Sequence, residues 1–252
     1  MQGTGELDYE IYLNTKALLS CQKDFTALCN GDELQFQIVH QVEELWMKVI
    51  AYTLLAIDDY LQQENTNRVI TLFRRVHMIQ RLMTEQLGLL ETMSPREYQE
   101  IRLQLGHGSG QESPGFRVLL KMYSPIWQSF KEHYLDKKGL TVEMVYNSSY
   151  NHSDAYVVAE SLAEYDELFQ KFRYHHLQLI HRSIGLGSQV TEGPRGRAAG
   201  EWSESSVLSG AMGCPQQDDG RVGKPIWRGS RFDRLAGGPV LGGNQVDTRH
   251  KG

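Results

Sequence analysis

Apolar and polar residues alternate with a helical period through most of the first 187 positions, and no stretch sustains the period of two expected of a strand. Residues 33–63 carry one such pattern, which ends near the polar run Gln62 to Asn67. A second runs from about Arg68 to Glu91, with Val69, Leu72, Val76, Ile79, Leu82 and Leu87 as its apolar face. Ser94, Pro95 and Glu97 form a helix start, with Ser94 as N-cap, Pro95 at the first helical position and Glu97 closing a capping box. That short helix runs to about Leu105 and is followed by a glycine-rich loop, Gly106 to Gly115. Phe116 to Met122 and Pro125 to Tyr134 are expected as two further helical pieces, 135–153 as loop-rich, and Asp154 as the cap of a last long helix from about Ala155 to Ile184. The expected class is all-α, a helical bundle with long antiparallel helices. Residues 1–187 are expected to form the helical domain. The Gly-, Arg- and Ser-rich tail 188–252 lacks any sustained period and reads as a disordered extension, or as a poorly patterned lid that orders on ligand binding.

Composition narrows the class further. At 252 residues and 40% hydrophobic content, the chain can bury a substantial core in one or two domains. A net charge of -5 gives no reason to expect nucleic acid as a partner. Three cysteines (Cys21, Cys29 and Cys214) without CxxC spacing argue against a disulfide framework or a zinc site and fit a reducing compartment. With no signal-type apolar segment and no run of membrane-spanning length, the expectation is a cytoplasmic protein without membrane contact.

Three segments carry candidate chemistry. In the first helix Asp32 can act as N-cap with Gln35 as its capping-box partner, and Phe36, His40 and Glu44 share a face. Alone, a helical histidine is more often a satisfied core or surface residue. In the short helix Tyr98 and Arg102 are i,i+4 neighbours. A guanidinium and a phenol can grip a carboxylate with charge-assisted bonds, although alone the pair reads as a surface contact. In the last helix Phe169, Phe172, His176 and Ile180 form one stripe. A neutral imidazole on an apolar stripe suits an axial heme ligand, although alone it is more often a histidine hydrogen-bonded in a bundle core. His175 points about 100° away around the helix, and His181 lies elsewhere on it.

Taken together and in order, these segments resemble the tryptophan 2,3-dioxygenase superfamily of heme enzymes. The family pattern DE-x-x-F-x-x-x-HQ-x-x-ELW-x-K is met from Asp32 to Lys48, and LET-[ML]-[ST]-P-x-[ED]-[FY]-x-x-[FI]-R from Leu90 to Arg102. W-R-[FY]-x-H-x-x-x-[VI]-x-R-x-[IL]-G is met from Phe172 to Gly185 with Phe in place of Trp, and Y-x-x-YL by Tyr9, Tyr12 and Leu13. The resemblance covers roughly residues 8–187. It implies heme b held through His176 as iron ligand. It implies His40 on the opposite side of the heme as the catalytic residue, accepting a hydrogen bond from the substrate indole N–H. Phe36 would wall the indole, and Tyr98 and Arg102 would bind the carboxylate. Leu105, Ser109 and Gly110 would lie beside the substrate, with Ser109 also at the heme edge. Tyr9, Tyr12 and Leu13 would reach a neighbouring subunit's site in a homotetramer.

The chain also departs from the family. The loop usually written SSGFQS reads Gly108-Ser109-Gly110-Gln111-Glu112-Ser113, so an aromatic is lost and a charge gained. The spacing from His40 to His176 is shorter than is typical. The GTGGSSG loop, which supplies a threonine to the substrate ammonium, is not recognisable beyond Gly185-Leu186-Gly187-Ser188; Thr191 is the substitute on offer. The implied function is a heme-dependent oxygenase that adds O2 across C2–C3 of the indole of L-tryptophan or a derivative, giving N-formylkynurenine. The alternatives are a heme monooxygenase of an aromatic amino acid in natural-product biosynthesis, giving a 2-oxindole or hydroxylated product, and a non-catalytic sensor of heme or an amino acid.

Overall fold

The structure, a computed structural model, describes residues 7–105, 113–147, 149 and 151–184. Among them every regular element is helical: α1 (Asp8–Leu13), α2 (Thr15–Leu18), α3 (Glu33–Gln62), α4 (Thr66–Leu90), α5 (Pro95–Leu105), α6 (Pro114–Phe130), α7 (Val142–Tyr146) and α8 (Asp154–Ile184), with short 3-10 turns at Phe25–Ala27 and Asp136–Lys138. The all-α expectation holds for these residues. No helix among them is long and apolar enough to cross a membrane. Ser109, Gly110, Thr191, Cys214 and the tail 188–252 lie outside the described residues.

The described chain divides into two compact units. The first takes in residues 7–46, 78–105 and 167–184, the second 47–77 and 113–166. In the first, Val39, Ile79, Met83, Leu87, Ile101, Phe169, Phe172 and Leu179 are buried. Burying aliphatic and aromatic side chains of this size stabilises each by roughly 1.5–3 kcal/mol. Polar side chains then tie the ends of the helices together. Gln35 donates to the Leu89 carbonyl and the Thr92 hydroxyl, Asn30 to the Glu97 carbonyl and the Glu100 carboxylate, and Gln99 to the Ser183 carbonyl. These bonds join the start of α3, the end of α4, α5 and the end of α8.

In the second unit the core holds Ile50, Leu54, Leu61, Phe73, Leu119, Ile126, Phe130, Tyr134 and Tyr165. Two of its polar groups are paired inside: the Thr66 hydroxyl with the Tyr134 phenol at 3.1 Å, and Asp58 with donors from Ser129 and Gln62.

Four local expectations are corrected. Gln35 does not close a capping box on Asp32: the Asp32 N–H donates to the Asn30 Oδ1 at 3.0 Å, and the Gln35 amide reaches the end of α4. α8 is capped by Ser153, whose hydroxyl accepts from the Tyr156 N–H at 3.3 Å, while Asp154 is its first residue. α6 is one helix through Pro125 rather than two pieces. The proline forfeits one backbone bond, but the buried row Phe116, Leu119, Met122, Ile126 and Phe130 continues across it. A π-helical turn, Lys131–Leu135, then absorbs the change of phase. Leu82, assigned to the buried face of α4, is exposed; Phe73, His77, Gln80 and Met83 fill that face instead.

Candidate functional site

α5 begins as its sequence dictates. The Ser94 hydroxyl accepts from the Glu97 N–H at 3.3 Å, and the Glu97 carboxylate accepts from the Ser94 N–H at 3.1 Å. These two bonds hold Glu97's carboxyl below its ordinary range. With the first turn fixed, Tyr98 and Arg102 follow on α5, and Tyr98 meets Phe36 of α3 with ring centroids 6.3 Å apart. The Phe36 ring lies 4.1 Å from the His40 ring, tilted by 37°. Phe36, His40 and Tyr98 thus form one aromatic group across two helices. Burial pushes the Tyr98 phenol up, and the nearby Arg102 charge opposes that rise. Arg102 is therefore within electrostatic reach of the phenol.

His40 is held in one tautomer. Its Nδ1 lies 2.7 Å from the Phe36 carbonyl on the same helix, and a carbonyl only accepts, so Nδ1 carries the proton. Nε2 is left as an acceptor. Burial lowers the pKa of His40, against the smaller opposing effects of the Phe36 carbonyl and Glu44, so the ring is neutral at neutral pH. His176 on α8 is also neutral. Burial, with smaller contributions from His40 and His175, brings it down to about 4. Its ring stacks on Phe172 at 6.4 Å and 20°. The influence of His40 on His176 puts the two imidazoles within each other's field. His175 faces away, with Nε2 2.8 Å from the Glu91 carboxylate.

The structure therefore gathers Phe36, His40, Tyr98, Arg102 and His176 in the first unit. Leu105, the last residue of α5, is exposed. Tyr9, Tyr12 and Leu13 on α1 are exposed as well, Tyr12 at 88%, and are not gathered with the others.

Sequence reasoning passed over Glu43 and Gln86. Glu43 is 5% exposed, and burial drives its carboxyl up to about 7, opposed by a hydrogen bond from Gln86. A signal was present: Glu43 is the one charged member of the row Val39, Glu43, Met47, Ile50, Leu54, whose spacing marks the buried side of α3. The neighbouring Glu44, not Glu43, is a glutamate of the family pattern.

An all-α protein with two part-buried neutral histidines, and a phenol and a guanidinium in the same unit, is the class that fold and site define. Comparison with known proteins makes it specific. A family model described as Tryptophan 2,3-dioxygenase matches residues 2–123, a span that contains Phe36, His40, Tyr98 and Arg102 and stops before His176. The chain is 31% identical over 242 residues to a tryptophan 2,3-dioxygenase of Myxococcus xanthus (strain DK1622), covering 76% of this chain and 82% of that protein. It is 28% identical over 229 residues to one of Serratia proteamaculans (strain 568), covering 71% and 82%. For one of Rhodococcus jostii (strain RHA1) the identity is 26% over 231 residues, covering 72% and 81%. The chain belongs to the tryptophan 2,3-dioxygenase family.

Proposed function

We propose that this chain is a heme-dependent oxygenase acting on the indole ring of L-tryptophan or a tryptophan derivative, with both atoms of O2 entering across C2–C3 to give N-formylkynurenine. The observation that carries the reading is the fixed tautomer of His40: a neutral imidazole with Nδ1–H tied to the Phe36 carbonyl and Nε2 ready to accept. An indole N–H is a donor that such an acceptor orients, and the Phe36 ring beside it offers an aromatic wall.

The residues present fit a heme. His176 is neutral, as an iron ligand must be, and stacks on a buried phenylalanine. Among the described residues no group of three or more His, Cys, Asp or Glu side chains could hold a metal ion by itself. A heme held at His176 would bring its own nitrogen ligands for the iron. When bound, heme supplies the iron that activates dioxygen. The chain's own residues bind and orient: Arg102 and Tyr98 take the α-carboxylate, Phe36 packs on the indole, and His40 Nε2 holds the indole N–H. Leu105, Ser109 and Gly110 complete the substrate side in this reading, and Ser109 also meets the heme edge. Tyr9, Tyr12 and Leu13, exposed here, complete the site of a neighbouring subunit in a homotetramer. Residues 1–187 form the catalytic domain of a cytoplasmic enzyme, and 188–252 form an extension dispensable for heme binding.

The test is turnover of tryptophan under 18O2 with mass spectrometry of the product. N-formylkynurenine carrying two labelled oxygens is expected. A product with a single labelled oxygen would replace the reading with the monooxygenase. Heme binding without turnover would leave a sensor. His176→Ala should purify without a Soret band while keeping its helical content; loss of heme in His175→Ala instead would reassign the ligand.

A further inference from the structure

Glu43 is a buried carboxyl that the proposed reaction does not use. Four observations bear on it. It is 5% exposed, in a row of α3 that is otherwise apolar. Its Oε1 is fully buried and has no hydrogen-bond partner in the structure. The Gln86 amide of α4 donates to the Val39 carbonyl at 3.4 Å, and it opposes the rise of the Glu43 carboxyl. Val39 immediately precedes His40, and Glu43 follows His40 by three positions. Gln86 thus ties α4 to the turn of α3 just before the imidazole, and it acts on the Glu43 carboxyl one turn further on.

We propose that the Glu43 carboxyl and the Gln86 amide form a positioning pair for His40, which sets the height and rotation of that turn, and that the pair works while Glu43 carries its proton. The physical reason is the orphaned Oε1. A protonated carboxyl keeps a neutral group inside the apolar row. An ionised one would place a full charge in an apolar row with a single donor, and the turn would have to shift to bring it to water or to a second donor. The charged group acting on Glu43 is Glu44 of its own helix, which disfavours ionisation; α4 presents the neutral Gln86. The carboxyl sits at about 7, so the change falls near neutrality, where His40 is already neutral and contributes nothing to the alkaline side. This inference rests on the proposed role of His40 and assigns a residue that supports it.

Two measurements on the full-length chain test it. Infrared spectra between about pH 6 and pH 8.5 should show a protonated-carboxyl C=O band that fades as pH rises and is absent in Glu43→Gln. Over the same range the affinity of the heme-loaded chain for tryptophan should fall by about tenfold in the wild type. It should stay flat in Glu43→Gln, where a neutral amide stands in for the acid. Gln86→Leu should show the weakened affinity at every pH. Amide hydrogen exchange over residues 36–44 should accelerate in Gln86→Leu, and in wild type at alkaline pH after correction for intrinsic rates, but not in Glu43→Gln. A C=O band that persists in Glu43→Gln, or identical pH profiles in wild type and Glu43→Gln, overturns the proposal. If tryptophan binds at no pH while the infrared and exchange results hold, the pair stands and the proposed function falls.

Discussion

Three phenylalanine–histidine pairs at i,i+4 recur along this chain, and they come to different ends. Phe36–His40 and Phe172–His176 lie in the first unit, with ring centroids 4.1 Å and 6.4 Å apart; Phe73–His77 lies in the second, at 5.7 Å. Locally they are the same device, an imidazole laid against an aromatic ring one turn earlier on a helix. The difference is in what meets the ring nitrogens. His40 spends Nδ1 on its own backbone and keeps Nε2 as an acceptor, and His176 is kept neutral by burial. His77, 4% exposed, has both nitrogens engaged by α8, with Nδ1 3.1 Å from the Glu164 carboxylate and Nε2 3.0 Å from the Ser161 carbonyl. A histidine whose two nitrogens both face acceptors is a structural tie. One with a nitrogen in reserve can meet a ligand. The comparison teaches that the pair in the sequence sets ring placement, and the third partner sets the role.

The largest effect that could break this comparison is at the proposed carboxylate clamp of Tyr98 and Arg102. Arg102→Leu should weaken tryptophan binding by several kcal/mol, on the order of 2–5, while tryptamine binds wild type and variant alike. Calorimetry that finds wild type indifferent between tryptophan and tryptamine would remove Arg102 from the site.

Next comes the acid limb of stability in the chain without heme. His176 takes its proton at about 4 when folded and near 6.5 when unfolded, so the unfolded state binds the proton first as pH falls. Stability present above 6.5 is therefore lost progressively down to about 4, by roughly 3 kcal/mol from this residue. His40, also lowered, acts in the same direction. Urea midpoints across that range should fall, and His176→Ala should flatten the slope; an unchanged slope would mean that the ring is not desolvated.

His77→Phe keeps the ring packing and removes both bonds. It should cost about 1–3 kcal/mol of stability and leave heme binding unchanged. A lost Soret band there would mean that the two histidine types are not separable. The smallest effects are at the caps. Ser94→Ala and Ser153→Ala should each cost about 1 kcal/mol. Only the first should also weaken tryptophan binding, because α5 carries Tyr98 and Arg102.

Much of the fold was legible. The expected helix at 33–63 is α3 (Glu33–Gln62), the one opened by Ser94 is α5, and the last ends at Ile184 as read. These succeed because a helical period and a capping box are encoded within a few residues. The errors share a cause. Gln35 was assigned a local partner and found one 54 residues away at Leu89. Pro125 was given its local meaning as a breaker, and the apolar row around it prevailed. Of the candidate site, the grouping of Phe36 with His40 follows from helix spacing. The approach of Tyr98 to Phe36 required α3 and α5 to pack.

By itself the sequence determined that this protein is helical, where its long helices run, and that each key histidine follows a phenylalanine by one turn. Backbone geometry alone carries that information, because the rise and twist of a helix are the same wherever it sits. Only the tertiary structure decided that His77 is bound at both nitrogens while His40 is bound at one, and that Glu43 rather than Glu44 is the buried acid. Protonation and hydrogen-bond partners depend on how much water is excluded and which distant group arrives, Ser161 and Glu164 at His77 and Gln86 at Glu43. Neither is written in the residues next door.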